Sequence, residues 1–451
     1  MTDQSGESVF QIDRTSRIPL WRQLYAALRD RMLGGMLPEG RKLPATRELA
    51  RELGVSRLTV VEAYEQLAAE GYVVAKVGAG SFVAPGTRLR AGTRRRPVSA
   101  NREPAEAAAR TVPAPASTTS AAPLGYRTDV IDFRTGLPDL SSFPVSVWQR
   151  LTRTVLAEIT PPELAYGPPA GVSELRSAIA SYLVARRGLR CTADQIVVVA
   201  GTTQAIGLVT RLLARGKRST AVVEDPITHD IRQIIVENGG LLHPVRADGS
   251  GLMTTRLPDH VDPAFVYVTP SHHFPLGGIL PAGRRVALAE YATSKRCFIV
   301  EDDYDTEFRY SGNPVSTLQE IVPARVVYIG SFSKTVFPGL RLAFVVLPPA
   351  LVDRARLQKW HSDLHNPVIE QKVTAAFIAG GHFERHIQRS SRSLKQKHDA
   401  TVEFLSRAFG PQVAARFAGR SFGDAFVCRG EAAGVKLYPA RIHAANGTDW
   451  S

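Results

Sequence analysis

The sequence predicts two folded units of different class: a small N-terminal winged helix-turn-helix and a larger α/β domain on a mostly parallel sheet. Three observations carry this. Apolar residues recur at helical spacing as far as Gly71 and then give way to two short strand-like runs. Between about Pro85 and Tyr126 the chain is dominated by Pro, Ala, Ser, Thr, Gly and Arg, with Leu89, Val98, Val112 and Leu124 as its only large aliphatics. From Ile131 onward, β-branched runs alternate with helical stretches. The 451 residues are about three times the usual domain length. The expected boundaries are 1–84 for the first unit, 85–126 for a flexible linker and 127–451 for the second.

Hydrophobic residues make up 44% of the chain and charged residues 22%, a balance that excludes a disordered protein. The 56 Lys+Arg exceed the 42 Asp+Glu by 14, and the pI is near 9.9. Such an excess points to a polyanionic partner. Residues 1–96 hold 16 Lys+Arg and 10 Asp+Glu, a net of +6, so the polyanion is assigned to the N-terminal unit. Cys191, Cys297 and Cys428 are too few and too scattered for a disulfide framework or a metal cluster, so no metal is expected and the compartment is reducing. The polar, acidic start at Met1–Glu7 has no apolar core and is not read as a signal peptide. The most apolar stretch, Leu342–Val352, is short and broken by Pro348-Pro349, so no membrane span is expected and a cytoplasmic location follows.

In the first unit, Leu20, Leu24, Ala27 and Leu28 lie on one helical face, with Arg22, Arg29 and Asp30 expected on the surface, until Gly34-Gly35 stops the helix. A second helix runs from about Thr46 to Leu53, with Gly54 as its stop. Ser56 caps a third helix that places Val60, Tyr64 and Leu67 on one face up to Gly71. Two strands, about 72–77 and 81–84, close the unit around Gly78-Ala79-Gly80. The third helix offers Arg57 and Thr59 at its start, where a recognition helix meets base edges. Arg47 and Lys76 are placed for phosphates. A module docking on a protein partner shares this periodicity.

The motifs separate the two. Leu43-Pro-Ala-Thr-Arg-Glu-Leu-Ala50, Leu53-Gly-Val-Ser-Arg-Leu-Thr-Val60, Ala63-Tyr-Glu-Gln-Leu67, Glu70-Gly-Tyr72 and Val77-Gly-Ala-Gly-Ser-Phe-Val83 resemble the GntR-family DNA-binding domain over about Pro19–Ala84. The resemblance implies Arg47, Ser56, Arg57 and Thr59 as DNA contacts, with Gly80 at the wing tip. Ala45 stands where the family has Ser, whose capping box with Glu48 is thereby lost, at about 1 kcal/mol. About 40 linker residues span roughly 35 Å as a coil, so either unit is expected to reorient freely. Arg94-Arg95-Arg96 reads as a solvated cluster, with phosphate contact as the alternative.

In the second unit, Ile196–Val199, Ser219–Val223, Phe265–Val268, Phe298–Val300 and Arg325–Ile329 read as strands buried on both faces. Chemistry in such sheets sits past the carboxyl ends of the strands. There follow, in order, Gly201-Thr202-Thr203-Gln204, Glu224-Asp225-Pro226, Thr269–Gly277, Glu301–Asp305, and Ser331-Phe332-Ser333-Lys334 with Arg341 beyond. Hydroxyls at a helix N-terminus hold an anion, a lysine can form a Schiff base and a carboxylate can keep a pyridine nitrogen protonated. Each residue alone reads as a cap or a salt bridge. Together they suit pyridoxal 5'-phosphate.

Tyr166-Gly-Pro-Pro-Ala-Gly171 with Leu175-Arg176, Thr269-Pro-Ser-His272, Glu301-Asp-Asp-Tyr304 with Glu307-Phe308, and Ser331-Phe-Ser-Lys334 with Pro338-Gly-Leu-Arg-Leu342 resemble a PLP-dependent fold-type I aminotransferase domain, from about Asp132 to His398. A GntR-type DNA-binding unit fused to such a domain is similar to the MocR/GabR regulators. The resemblance implies Lys334 as the internal aldimine, Asp302 (or Asp303) at the pyridine nitrogen and Tyr304 near the ring hydroxyl. It implies Thr202, Thr203, Ser331, Ser333 and Arg341 around phosphate or substrate, and His272 beside the cofactor. Where the family has a ring-stacking Tyr after Glu224-Asp225-Pro226, this chain has Ile227-Thr228-His229, so stacking falls to His229. His273 replaces a usual Gln and is expected to retune contacts to ring or ligand. The part after His398 is shorter than the family's small domain, and Arg420, Arg429 and Arg441 are the candidates for its carboxylate-binding arginine.

The expected function is a regulator that binds double-stranded DNA and senses an amine or amino acid by aldimine exchange, as a homodimer with head-to-tail exchanged DNA-binding units. The competing expectations are a working aminotransferase with an accessory N-terminal unit, and an effector domain that has lost its cofactor.

Overall fold

In the computed structural model, residues 12–16, 18–76, 78–89, 138–214, 219–308, 315–409 and 442–443 are described. Three helices, α1 (Leu20–Leu33), α2 (Thr46–Leu53) and α3 (Arg57–Ala69), precede an antiparallel pair, β1 (Val73–Lys76) and β2 (Gly80–Val83). Gly54 ends α2 in the left-handed conformation, and Ser56 caps α3 by accepting the Thr59 N–H at 3.1 Å. Ala45 precedes α2 with no side-chain cap, as its side chain dictates. Leu24, Leu28, Leu49, Val60 and Leu67 are fully buried and form this unit's core. The packed part extends past the expected boundary: Leu89 rests on this core, and its N–H donates to the Leu33 carbonyl at 2.9 Å. The rest of the expected linker, with Arg94-Arg95-Arg96, lies outside the described residues.

The second unit runs α4 (Val145–Glu158), α5 (Ser173–Tyr182), β3 (Ile196–Val199), α6 (Thr202–Leu213), β4 (Ser219–Asp225), β5 (Ile227–Thr228), α7 (His229–Glu237), β6 (Gly240–Asp248), β7 (Gly251–Leu252), β8 (Phe265–Val268), α8 (Ala282–Ser294), β9 (Phe298–Asp303), α9 (Leu318–Ile321), β10 (Val326–Ser331), β11 (Ala343–Val346), α10 (Val352–Asp363), α11 (Val368–Ala379), α12 (His382–Phe409) and β12 (Ile442–His443). An eight-stranded sheet has the order β3-β11-β10-β9-β8-β4-β6-β7. β10, β9, β8, β4 and β6 are parallel to one another, and β11 runs antiparallel to both its neighbours. Two-residue alternation divides the strand side chains. Val197, Val199, Val223, Val300 and Ile329 join the layer of α6, while Ile196, Val198, Tyr328, Phe344 and Val346 join that of α5 and α11.

All five expected strands are present. β6 and β11 were not foreseen. β6 carries Pro244 and polar residues because its side chains are mostly half-buried or exposed, which erases the apolar signature. β11 lies inside the apolar stretch weighed above as a membrane candidate; among the described residues no helix is long and apolar enough to cross a membrane.

Arg22 and Arg29 are not on the surface. They are buried, because α1 lies against the second unit and both guanidiniums meet Glu320, Arg22 at 3.1 Å. Ala282 and Val286 of α8 complete the N-terminal core, and the Ala282 N–H donates to the Glu70 carbonyl at 2.9 Å. The expectation of free reorientation is therefore corrected. Charged residues sealed at such a contact are costly to separate once paired, so the N-terminal unit is seated.

Candidate functional site

The carboxyl ends of β3, β4, β8, β9 and β10 share one edge of the sheet, and the chemistry-bearing motifs follow them there. Gly201, at φ +92°, turns the chain from β3 into α6, whose first residues are Thr202 (half-buried) and Thr203 (exposed). A helix start of this kind presents unpaired N–H groups to an anion. Arg341 lies beside it, donating from Nη2 to the Ala200 carbonyl at 2.9 Å. Arg341 itself sits at φ +51°, held there by the short helix Pro338–Leu340. On the next loop, the Ser333 N–H donates to Ser331 Oγ at 3.1 Å, and Lys334 is half-buried in the same turn.

The middle of the edge is set by β9. Alternation turns Asp302 to the face of Val300 and Tyr267, and Glu301 and Asp303 to the other. Asp302 Oδ2 accepts the Tyr267 hydroxyl, while buried Oδ1 has no hydrogen-bond partner among the described residues. Asp303 is fully engaged: Arg187 and the Tyr328 hydroxyl, at 2.6 Å, meet Oδ2 and the Thr306 hydroxyl meets Oδ1. Burial pushes Asp302 up to about 7, partly opposed by the Tyr267 hydrogen bond and reinforced by Asp303. The same burial raises Glu301 to about 7.

His272 faces Tyr304 with ring centroids 6.1 Å apart and planes 17° from parallel, and its Nδ1 lies 3.0 Å from Asp305 Oδ2. These three form one polar cluster beside the edge. His229 opens α7 and is half-buried. His273 is wholly enclosed, with Nε2 3.7 Å from Glu224 Oε2, which also accepts the Thr269 N–H and hydroxyl. Its Nδ1 accepts the Leu276 N–H of the same loop at 3.4 Å, and its buried Nε2 has no hydrogen-bond partner among the described residues. Arg420, Arg429 and Arg441 lie outside the described residues.

Two contributors escaped sequence reasoning. Tyr267 read only as part of a buried strand; its hydroxyl in an otherwise aliphatic run was the available signal. Gly201 was read as a cap, and only the structure shows its φ of +92° and the approach of Arg341 that disfavour a side chain there.

On the N-terminal unit, Arg47, Ser56, Arg57, Lys76 and Gly80 are exposed and Thr59 is half-buried. Ser56 and Thr59 hydroxyls lie 2.9 Å apart, so part of their capacity is spent on the helix cap. Lys76 lies over the Phe82 ring, 5.0 Å from its centroid. Lys42, bridged to β2 beside Gly80, adds a cation at the wing that sequence spacing did not reveal.

Residues 20–83 match the family described as bacterial regulatory proteins, gntR family, and residues 128–418 match aminotransferase class I and II. The chain is 32% identical to the uncharacterized HTH-type transcriptional regulator YdeL of Bacillus subtilis, over 96% of this chain and 91% of that protein. It is 33% identical to the probable rhizopine catabolism regulatory protein MocR of Rhizobium meliloti, over 88% and 79%. Among solved structures it is similar to the α-aminoadipate aminotransferase LysN of Thermus thermophilus, complexed with N-(5'-phosphopyridoxyl)-L-leucine. That match has 26% identity and a TM-score of 0.58 over 62% of this chain and 72% of that one. With a GntR helix-turn-helix seated on an aminotransferase-type sheet, and with such relatives along nearly its whole length, the chain belongs to the MocR-type family of HTH transcriptional regulators.

Proposed function

We propose that this regulator holds pyridoxal 5'-phosphate at the sheet edge and takes a small amine or amino acid as its effector. The observation that carries the reading is Asp302 Oδ1, a buried carboxylate oxygen with no hydrogen-bond partner among the described residues, at the end of β9. A protonated ring nitrogen is the partner that satisfies it, and it also favours the charged carboxylate against burial. Asp303, already saturated, does not fit that role. When bound, the cofactor supplies an aldehyde that captures amines and a ring that withdraws electrons.

The chain's own residues divide the work. Thr202, Thr203, Ser331, Ser333 and Arg341 hold the phosphate, with the α6 N-terminus behind them. Lys334 is the amine that would hold the cofactor, and an effector amine would compete with it there. Tyr304 and His272, whose imidazole Asp305 orients, would contact the cofactor's hydroxyl, and His229 would lie against its ring. Arg57 and Thr59 meet base edges, and Arg47, Ser56, Lys76 and the Gly80 wing meet the sugar-phosphate backbone. The protein works in the cytoplasm as a homodimer whose two DNA-binding units meet two half-sites.

The test is the visible absorption spectrum with added pyridoxal 5'-phosphate, beside Lys334→Ala. A band in the parent that the variant lacks is expected, and candidate amines should shift it. A parent without a band would overturn the cofactor reading.

A further inference from the structure

The six residues Val315–Glu320 are gripped from two sides. One grip comes from the candidate cofactor site. Glu301 and Asp303 flank Asp302 and point to the opposite face of β9. The two oxygens of Glu301 accept the Leu318 and Gln319 N–H groups at 3.0 and 3.1 Å. Asp303 pairs with Arg187, buried like itself, whose Nη1 donates to the Val315 carbonyl at 3.0 Å. Arg285 of α8 is completely buried and donates to three carbonyls: Leu280, Ser316 and, at 2.8 Å, Pro270 in the loop that carries His272.

The other grip comes from the DNA-binding unit. Glu70 accepts the Ser316 N–H at 3.0 Å and its hydroxyl at 2.6 Å. The Tyr25 hydroxyl lies 2.7 Å from Glu70 Oε2 and 2.8 Å from Ser316 Oγ. Glu320 takes both Arg22 and Arg29. Every one of these groups is buried in the side-chain packing of one unit or the other.

We propose that Val315–Glu320 is a coupling strut through which occupancy of the cofactor site sets how the DNA-binding unit is seated, with Arg285 and Ser316 as its positioning residues. The proposal rests on the cofactor reading above. A group bound at Asp302 pulls on the backbone that also places Glu301 and Asp303, and buried hydrogen bonds of this kind cannot stretch without large cost. Packed elements respond by moving between discrete arrangements. Linkage is reciprocal, so seating must change cofactor affinity by the factor with which the cofactor changes seating.

The experiment uses the full chain, its Ser316→Ala variant and its Arg285→Lys variant, with pyridoxal 5'-phosphate as probe. Absorbance reports binding, and hydrogen exchange reports α1. In the parent, the cofactor should change α1 exchange about tenfold. In both variants the band should still form, while the cofactor-dependent change falls below about twofold. A structural role alone would speed exchange equally with and without cofactor, leaving that difference intact. A parent band with no change in α1 would sink the strut and leave the cofactor reading standing. Full transmission by Ser316→Ala would also sink it, and this variant decides if Arg285→Lys does not fold. No parent band would remove both.

Discussion

Arg341 lies across Gly201. Its Nη2 donates to the Ala200 carbonyl at 2.9 Å, and a Cβ on Gly201 would stand 2.6 Å from the same nitrogen. The glycine is thus required by φ +92°, and any side chain there would also have to push the guanidinium aside. Gly201→Ala should strain the turn by about 1–3 kcal/mol and displace Arg341. Pyridoxal 5'-phosphate affinity should fall at least about tenfold, read by spectral titration, while binding to DNA fragments persists. Unchanged cofactor affinity would remove Arg341 and the α6 start from the phosphate site.

Asp302 ties stability to pH. Burial raises its pKa from 3.8 to about 7, so the folded chain without cofactor favours the protonated form. The stability that protonation contributes is full below the unfolded value near 4 and is lost as pH rises through about 7. The contribution is roughly 4 kcal/mol at most. Melting of the cofactor-free protein should therefore fall between pH 5 and pH 8. Asp302→Asn should flatten part of that slope, with Glu301, also raised to about 7, keeping the rest. A slope identical in parent and variant would show that Asp302 is not buried uncharged.

The DNA-binding surface separates two kinds of contact. Arg57→Ala should cost about 1–3 kcal/mol and relax sequence preference, whereas Arg47→Ala should weaken all sequences alike and lower the salt slope by about one. Anisotropy titrations on operator and random duplexes at several salt concentrations distinguish these. Equal losses on both duplexes for Arg57→Ala would reassign it to the phosphate backbone.

Ala45→Ser restores a missing cap. The hydroxyl would accept the Glu48 N–H, and Glu48 would reach back, at the start of α2, which now has no side-chain cap. Denaturant unfolding should show a gain of about 1 kcal/mol. No gain would mean that α2 is held by tertiary packing alone.

The elements of the DNA-binding unit were legible because local chemistry decides them. Ser56, Gly54 and Gly71 end and begin helices through their own backbone and side-chain hydrogen bonds. The strands β3, β4, β8, β9 and β10 were legible for a similar reason, since burial on both faces demands β-branched runs. β6 was not, because a mostly half-buried and exposed strand carries no such demand. At the sheet edge, motif spacing brought Asp302, Tyr304, Lys334 and Arg341 into view but left Asp302 and Asp303 equivalent. The side-chain alternation of β9 separated them, giving one to Tyr267 and the other to Arg187.

By itself, then, the amino-acid sequence determined the family, the two folds and the residues brought to the sheet edge, because periodicity, caps and strand-end motifs are local properties. Only the tertiary structure decided which charges are buried. Arg22 and Arg29 read as surface residues on an isolated helix, and nothing within their own helix reports Glu320, some 290 residues further along the chain. Burial and pairing depend on which surfaces meet, and that is set by the packing of whole units against each other.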